Sequence, residues 1–140
     1  MVRTSNARWE GDLKAGNGKV KLGSGSFEGK YSFGTRFESG PGTNPEELLG
    51  AAHAACFSMA LAAGLAKAGH TAKSIETTAN VHLEKSDAGF SITHIDLVTV
   101  GEVPGLTAPE FQSAAEDTKK NCIVSRALSA VPTTLNATLK

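Results

Sequence analysis

The amino-acid sequence predicts an α+β fold, carried by a single domain over residues 1–140. Three observations predict it. Glycines punctuate the first quarter of the chain (Gly11, Gly16, Gly18, Gly23, Gly25, Gly29, Gly34), the mark of short strands joined by turns. The middle holds one long uncharged stretch of helical length. Two stretches of alternating apolar and polar residues come after it, and helices and strands do not interleave as a doubly wound sheet requires. A chain of 140 residues has the length of one domain and can bury a core without metal or disulfide staples.

The elements follow in order. Residues 5–38 are predicted as the short strands, and Gly40-Pro-Gly-Thr43 as a loop feeding the long helix. Asn44 caps that helix, Pro45 suits its first position, and Glu47 lies three residues after the cap. Glu46 and Glu47 also favour the positive end of the helix dipole. The pattern runs to about Ala68, and Gly69 is a natural stop. At 1.5 Å per residue the helix is roughly 37 Å long. Its stretch from Leu48 to Ala66 has 19 residues without a charge, close to the length a bilayer needs, but eight are Ala, two are Gly and only six are large and apolar. No basic cluster flanks it. It is therefore predicted to lie inside protein, apolar nearly all round and covered on most sides, with a second subunit as the simplest cover.

Ile75, Thr77, Ala79, Val81 and Leu83 then alternate with Glu76, Thr78, Asn80, His82 and Glu84, a half-exposed strand. Lys85 to Gly89 is a turn, and Phe90 to Val100 returns as the antiparallel partner. Thr107-Ala-Pro-Glu110 is a capping box, with Phe111, Ala114, Ala115 and Thr118 at helical spacing behind it. That helix falters near Asn121, a new helical turn begins around Cys122, and Val131-Pro132 ends it. Thr133 to Leu139 is the last strand.

Composition narrows the function. Lys plus Arg equals Asp plus Glu at 14 each, and the longest basic run is Lys119-Lys120, so nucleic acid is not an expected partner. The N-terminus lacks the apolar stretch of a secretory signal, which makes the cytoplasm the expected location and a membrane an unexpected partner. In that compartment a disulfide tends to be catalytic or redox-sensing. The two cysteines, Cys56 and Cys122, stand too far apart for a CxxC or local metal motif.

The residues themselves admit bland readings. Cys56, in an apolar helix, reads first as a small core residue whose thiol burial would raise and silence. Cys122 starts a helical turn, where the positive end lowers a thiol's pKa, yet it also reads as packing at a helix junction. His53 stands one turn before Cys56. A Cys–His pair suggests nucleophilic or metal chemistry, but a lone helical histidine is more often a hydrogen-bonded packing residue, and spacing supplies no third ligand. His70, His82 and His94 are scattered along the chain. Arg36 reads as a surface charge and Glu46 as a helix-start acid. From the residues alone, the signal stops at a possible dithiol in a buried-helix domain.

The stretch from Thr35 to Met59, with its Asn-Pro-Glu-Glu-Leu and Ala-His-Ala-Ala-Cys-Phe-Ser-Met elements, closely resembles the OsmC family, the osmotically inducible protein C family of bacterial peroxidases. Ala7-Arg-Trp-Glu-Gly-Asp12, Asp87-Ala-Gly-Phe90, Val103-Pro-Gly105 and Cys122-Ile-Val-Ser-Arg-Ala-Leu128 resemble it too, so the likeness spans essentially the whole chain. It favours this branch over the related organic hydroperoxide resistance (Ohr) proteins. The resemblance implies antiparallel sheets around long central helices in an intertwined homodimer, with active sites at the subunit interface. It implies Cys56 as the peroxidatic and Cys122 as the resolving cysteine, with Arg36 and Glu46 as the polar pair around the thiolate. One departure is Ile123, where the family often has Pro after the resolving cysteine.

What the resemblance implies chemically is a hydroperoxide reductase. Arg36 would lower the Cys56 pKa and meet the peroxide oxygens, and Glu46 would hold the guanidinium fork. Attack on the O–O bond would give a Cys56 sulfenic acid, and Cys122 would close a disulfide that an external dithiol, in related proteins a lipoylated partner, reopens. No metal, flavin or haem cofactor is expected. Organic hydroperoxides are expected to outrun hydrogen peroxide through an apolar entrance of Leu49, Ala52, Ala55, Phe57, Met59 and Ala60, with Phe37 near Arg36. Two other readings stay open: a non-catalytic binder of a hydrophobic ligand, and a redox sensor whose disulfide changes its partners.

Overall fold

The computed structural model describes residues 1–140, which divide into two compact units, 1–48 and 49–140. In the first unit, β1 (Ser5–Glu10), β2 (Asn17–Leu22) and β3 (Glu28–Ser32) form an antiparallel sheet in chain order. Ser5 pairs Leu22 and Asn17 pairs Ser32. The strands end sooner than the sequence suggests, because residues 33–37 form a short helix, α1 (Phe33–Phe37). Its aromatic residues read as strand, but the Ser32–Thr35 pair starts a helix. The Thr35 amide donates to Ser32 Oγ at 3.2 Å, and the Ser32 amide donates to Thr35 Oγ1 at 2.9 Å. This reciprocal capping box overrides the strand preference of the phenylalanines.

The long helix α2 (Pro45–Lys67) starts where its caps predict, with the Glu47 amide bonded to Asn44 Oδ1 at 2.8 Å. It stops at Gly69, whose φ of 91° is open to glycine at no steric cost.

In the second unit, β4 (Ser74–Ser86) and β5 (Gly89–Glu102) form the expected hairpin, with a register shift between His82 and Leu83. Helix α3 (Ala108–Asn121) begins at the Thr107 capping box, whose amide donates to Glu110 Oε2 at 2.8 Å. Helix α4 (Ile123–Ala127) and strand β6 (Thr133–Leu139) complete the chain. β6 lies beside β5 and runs parallel to it, from Ile95 opposite Thr133 to Gly101 opposite Leu139. A parallel neighbour needs a crossover, and α3 and α4 supply it.

The core of this unit is one cluster. Phe57, Leu61 and Leu65 from α2 are buried with Ile95 and Leu97 of β5 and Phe111, Ala115 and Cys122. A side chain at Gly101 would run into the Phe111 ring, so glycine lets the ring lie on the strand. Ser58 Oγ donates to Thr77 Oγ1 at 2.8 Å, and Thr77 meets Thr99 at 3.0 Å, which ties the polar atoms of helix and sheet together.

The expectation that α2 is covered on most sides is not met within one chain. Its buried side chains form a stripe, while Ala52, Ala55, Met59 and Ala63 are exposed and Met59 keeps 75% of its surface. By length and composition alone the helix could cross a membrane, and 28% of its most apolar window is buried.

Candidate active site

The first unit holds an arginine clamp and a cavity. Arg36 sits in the last turn of α1, and Glu46 in the first turn of α2. Their side chains meet as a fork. Arg36 Nη2 lies 2.8 Å from Glu46 Oε1, and Nε lies 3.2 Å from both carboxylate oxygens. Glu46 is buried and the arginine side chain is 40% exposed, so the carboxylate fixes a guanidinium that still has a free face. The guanidinium lies 5.2 Å from the Phe37 ring centre, a cation–π contact. Beside it opens a cavity of about 300 Å³ lined chiefly by Trp9, Tyr31, Phe33, Phe37 and Pro45, with Arg36 at its polar end.

The second unit holds the thiols. Cys56 lies on α2 and Cys122 at the joint where α3 ends and α4 begins. Both are free, and their sulfurs lie 3.2 Å apart. A disulfide needs about 2.05 Å, so a small side-chain movement closes the bond. Cys122 is 1% exposed, while Cys56 is half-buried.

The two thiols titrate as a pair. Burial pushes Cys56 up and its Cys122 neighbour adds to that, against the backbone N–H groups of Val124 and Ile123. Burial acts to raise Cys122 as well, but the Ser125 amide, the Cys56 thiol, the Ser125 hydroxyl and the Val124 amide outweigh it and bring Cys122 below its ordinary value. Within this unit no cation acts on Cys56. Ile123 gives Cys56 an N–H that proline could not supply, which is the local consequence of that departure from the family pattern.

His53 is fully buried, and its Nε2 lies 2.7 Å from Ser125 Oγ. It is a hydrogen-bonded residue of the thiol surroundings. Ser125 went unnoticed in the sequence, although its place three residues after a helix-starting cysteine is the spacing of a cap and its partner. The aromatic cavity went unnoticed too. Its signal was composition, since five of the eight aromatic residues (Trp9, Phe27, Tyr31, Phe33, Phe37) fall in the first 37 positions. Conversely, Phe57 lines no entrance, because the stripe that carries it faces the core and leaves it 0% exposed.

The histidines are less scattered than the sequence suggested, because the hairpin register sets His82 directly opposite His94. Their rings stack 3.8 Å apart at 14°, and His82 Nε2 lies 2.8 Å from Asp96 Oδ2. The three donor groups lie within 4.8 Å of one another. A metal binds in the plane of an imidazole, and two planes so nearly parallel do not meet within bonding distance. The cluster is a hydrogen-bonded His–Asp pair with a stacked neighbour.

The chain as a whole is similar to known proteins. The family model for OsmC-like protein matches residues 38–136. The chain is 52% identical over 129 residues to Peroxiredoxin OsmC of Escherichia coli (strain K12), covering 91% of this chain and 90% of that one. Its fold is shared with the organic hydroperoxide resistance protein OhrB of Bacillus subtilis, at a TM-score of 0.71, 22% identity and 98% coverage of both chains. An OsmC-like protein of Mycoplasma pneumoniae superposes at a TM-score of 0.76 with 16% identity, over 99% of this chain and 97% of that one.

Proposed function

The chain belongs to the OsmC-like protein family and is a cysteine-based peroxidase, and from that premise we propose that it reduces organic hydroperoxides through a Cys56 sulfenic acid and a Cys56–Cys122 disulfide. The observation that carries this reading is the pair of free thiols with sulfurs 3.2 Å apart. Access supports the division of roles. A peroxide must reach the attacking sulfur, and Cys56 is the accessible one, while Cys122 at 1% exposure is placed to attack only its neighbour.

The Cys56 thiolate attacks one peroxide oxygen, the O–O bond breaks, and the alkoxide leaves as an alcohol after taking a proton. Cys122 then attacks the sulfenic sulfur, the S–O bond breaks, and water leaves. A dithiol returns both cysteines to thiols by exchange. These steps balance with the two thiols, the peroxide and a dithiol alone, so the proposed cycle calls for no metal, flavin or haem.

Burial opposes the Cys56 thiolate, so the reaction needs a cation at that sulfur, and Arg36 held by Glu46 is the clamp suited to it. Assembly of a homodimer, with the thiol pair and the clamp meeting at the subunit interface, completes the site in this reading. The exposed face of α2, with Ala52, Ala55, Met59 and Ala63, supports the dimer, because small residues permit close helix approach. Sedimentation should therefore find a dimer at micromolar concentration, and a stable folded monomer there would overturn the assembly. The cytoplasm is the compartment that suits a dithiol-reset thiol pair.

Arg36→Ala should raise the Cys56 pKa and slow peroxide attack about tenfold at neutral pH, one unit of thiolate population. Arg36→Lys keeps the charge without the planar fork and should fall between. Glu46→Ala should act in the same direction as Arg36→Ala. A thiolate titration unchanged in Arg36→Ala would remove Arg36 from the mechanism. The reading as a whole is tested by peroxide consumption with dithiothreitol or dihydrolipoamide as reductant. Oxidation without turnover on either dithiol would leave a sensor in place of an enzyme.

A further inference from the structure

We infer that His53 and Ser125 are positioning residues that hold Cys122 as the leaving thiolate when the disulfide is reduced, so that the reducing dithiol attacks Cys56. This rests on the Cys56–Cys122 disulfide proposed above and adds the direction in which that bond is opened.

The inference stands on one buried hydrogen-bond chain. His53 is 0% exposed and has a single polar contact, Nε2 to Ser125 Oγ at 2.7 Å. Its Nδ1 is buried with no partner. Burial keeps the ring neutral, so it carries one proton. A proton on Nδ1 would leave a buried N–H donor unpaired, which native structures rarely tolerate. On Nε2 the proton is donated to Ser125 Oγ, and Nδ1 keeps only an unpaired acceptor. Ser125 Oγ, already accepting, then directs its own hydroxyl hydrogen to the Cys122 sulfur, which also receives the Ser125 amide. The chain runs His53 Nε2–H to Ser125 Oγ–H to Cys122 Sγ. Each link favours negative charge on that sulfur. The other titratable groups near Cys122 are Cys56 on α2 and Asp117, which lines the same groove.

In the reduced pair this chain readies Cys122 to attack the Cys56 sulfenic acid. It acts again when the disulfide is opened. A thiolate of the reductant attacks one sulfur, and the S–S electron pair departs on the other, which leaves faster the lower its pKa. Cys122 has the serine donors and is buried, whereas Cys56 is the more accessible sulfur. Attack therefore falls on Cys56. A mixed disulfide forms there, and Cys122 leaves as a thiolate bonded to Ser125. The second thiol of the reductant then closes on its own partner sulfur and releases Cys56 as a thiolate; the reductant leaves as a cyclic disulfide, having given two electrons to the cysteine pair.

The test uses the full-length protein oxidised by one equivalent of peroxide. Limiting glutathione, quenched with N-ethylmaleimide and mapped by mass spectrometry, should place the glutathione on Cys56 and the maleimide on Cys122. This mapping needs no variant, and glutathione mainly on Cys122 would overturn the inference. Ser125→Ala should slow reduction of the disulfide by dihydrolipoamide about tenfold, one hydrogen bond to a charged group. The pH profile of disulfide formation, in which the Cys122 thiolate attacks the sulfenic acid, should shift upward, with no loss in sulfenic acid formation itself. Ser125→Thr, which keeps the hydroxyl, should restore most of the rate. His53→Leu is the second variant, removing the donor while keeping the volume, and should move the same profile the same way. Wild-type rate and profile in both Ser125→Ala and His53→Leu would overturn the inference. Oxidised wild type without any Cys56–Cys122 disulfide would instead overturn the reading beneath it, and this inference with it.

Discussion

Replacing Cys56 with serine is expected to reduce peroxide turnover to the uncatalysed background. A serine hydroxyl is far too weak an acid to present an anion at neutral pH, and its oxygen cannot accept a second oxygen as sulfur does. Cys122 remains in that variant, but at 1% exposure it cannot receive a peroxide. Cys122→Ser should behave differently. Cys56 should still form a sulfenic acid in one burst, then stall and pass to the sulfinic acid as peroxide accumulates. Trapping with a carbonyl nucleophile such as dimedone, followed by mass spectrometry, separates the two. A sulfenic acid found mainly on Cys122 of the wild-type protein would reverse the assignment.

The second large effect concerns the substrate. Cumene hydroperoxide and tert-butyl hydroperoxide are expected to exceed hydrogen peroxide in kcat/KM by on the order of a hundredfold. The cavity of about 300 Å³ beside Arg36 is walled by Trp9, Tyr31, Phe33 and Phe37. An alkyl or aryl tail that enters it leaves water, at roughly 0.8 kcal/mol per buried CH₂. Three or four such groups contribute roughly 2–3 kcal/mol, which becomes rate when the contact persists in the transition state. In this prediction the peroxide end meets the Arg36 guanidinium, which lines the same cavity. Hydrogen peroxide can use that contact but has no tail to bury, so it reacts more slowly without being excluded. Equal values for the three peroxides, or hydrogen peroxide fastest, would show that the aromatic cavity takes no part in binding.

Much of this was legible in the sequence because local chemistry set it. Asn44, Pro45 and Glu47 fix the start of α2, and Thr107 and Glu110 fix that of α3, through contacts within one helical turn. The alternation from Ile75 to Leu83 gave the hairpin because a half-buried sheet imposes period 2. Residues 33–37 misled because their side chains prefer strand while the Ser32–Thr35 hydroxyls build a helix. The parallel pairing of β6 was hidden because strand direction depends on where the crossover packs. The site was legible unevenly. Cys56, Cys122, Arg36 and Glu46 came from a family resemblance, since nothing in their spacing brings residues 66 or 10 positions apart into contact. Ser125 and the aromatic cavity emerge only when strands and helices are in place.

The thiols that lie 3.2 Å apart in space stand 66 positions apart along the chain. Joining them therefore ties a long loop in the denatured ensemble while asking little of the folded one. By loop-closure entropy such a link favours the native state by about 4 kcal/mol. The same free energy must be supplied whenever the bond is reopened in the folded protein. For a two-electron couple that is a potential about 85 mV more negative than that of a pair with no fold to hold it. The proposed cycle thus calls for a reductant of low potential, and a dithiol, which closes its own ring as it leaves, meets that demand better than two separate thiols.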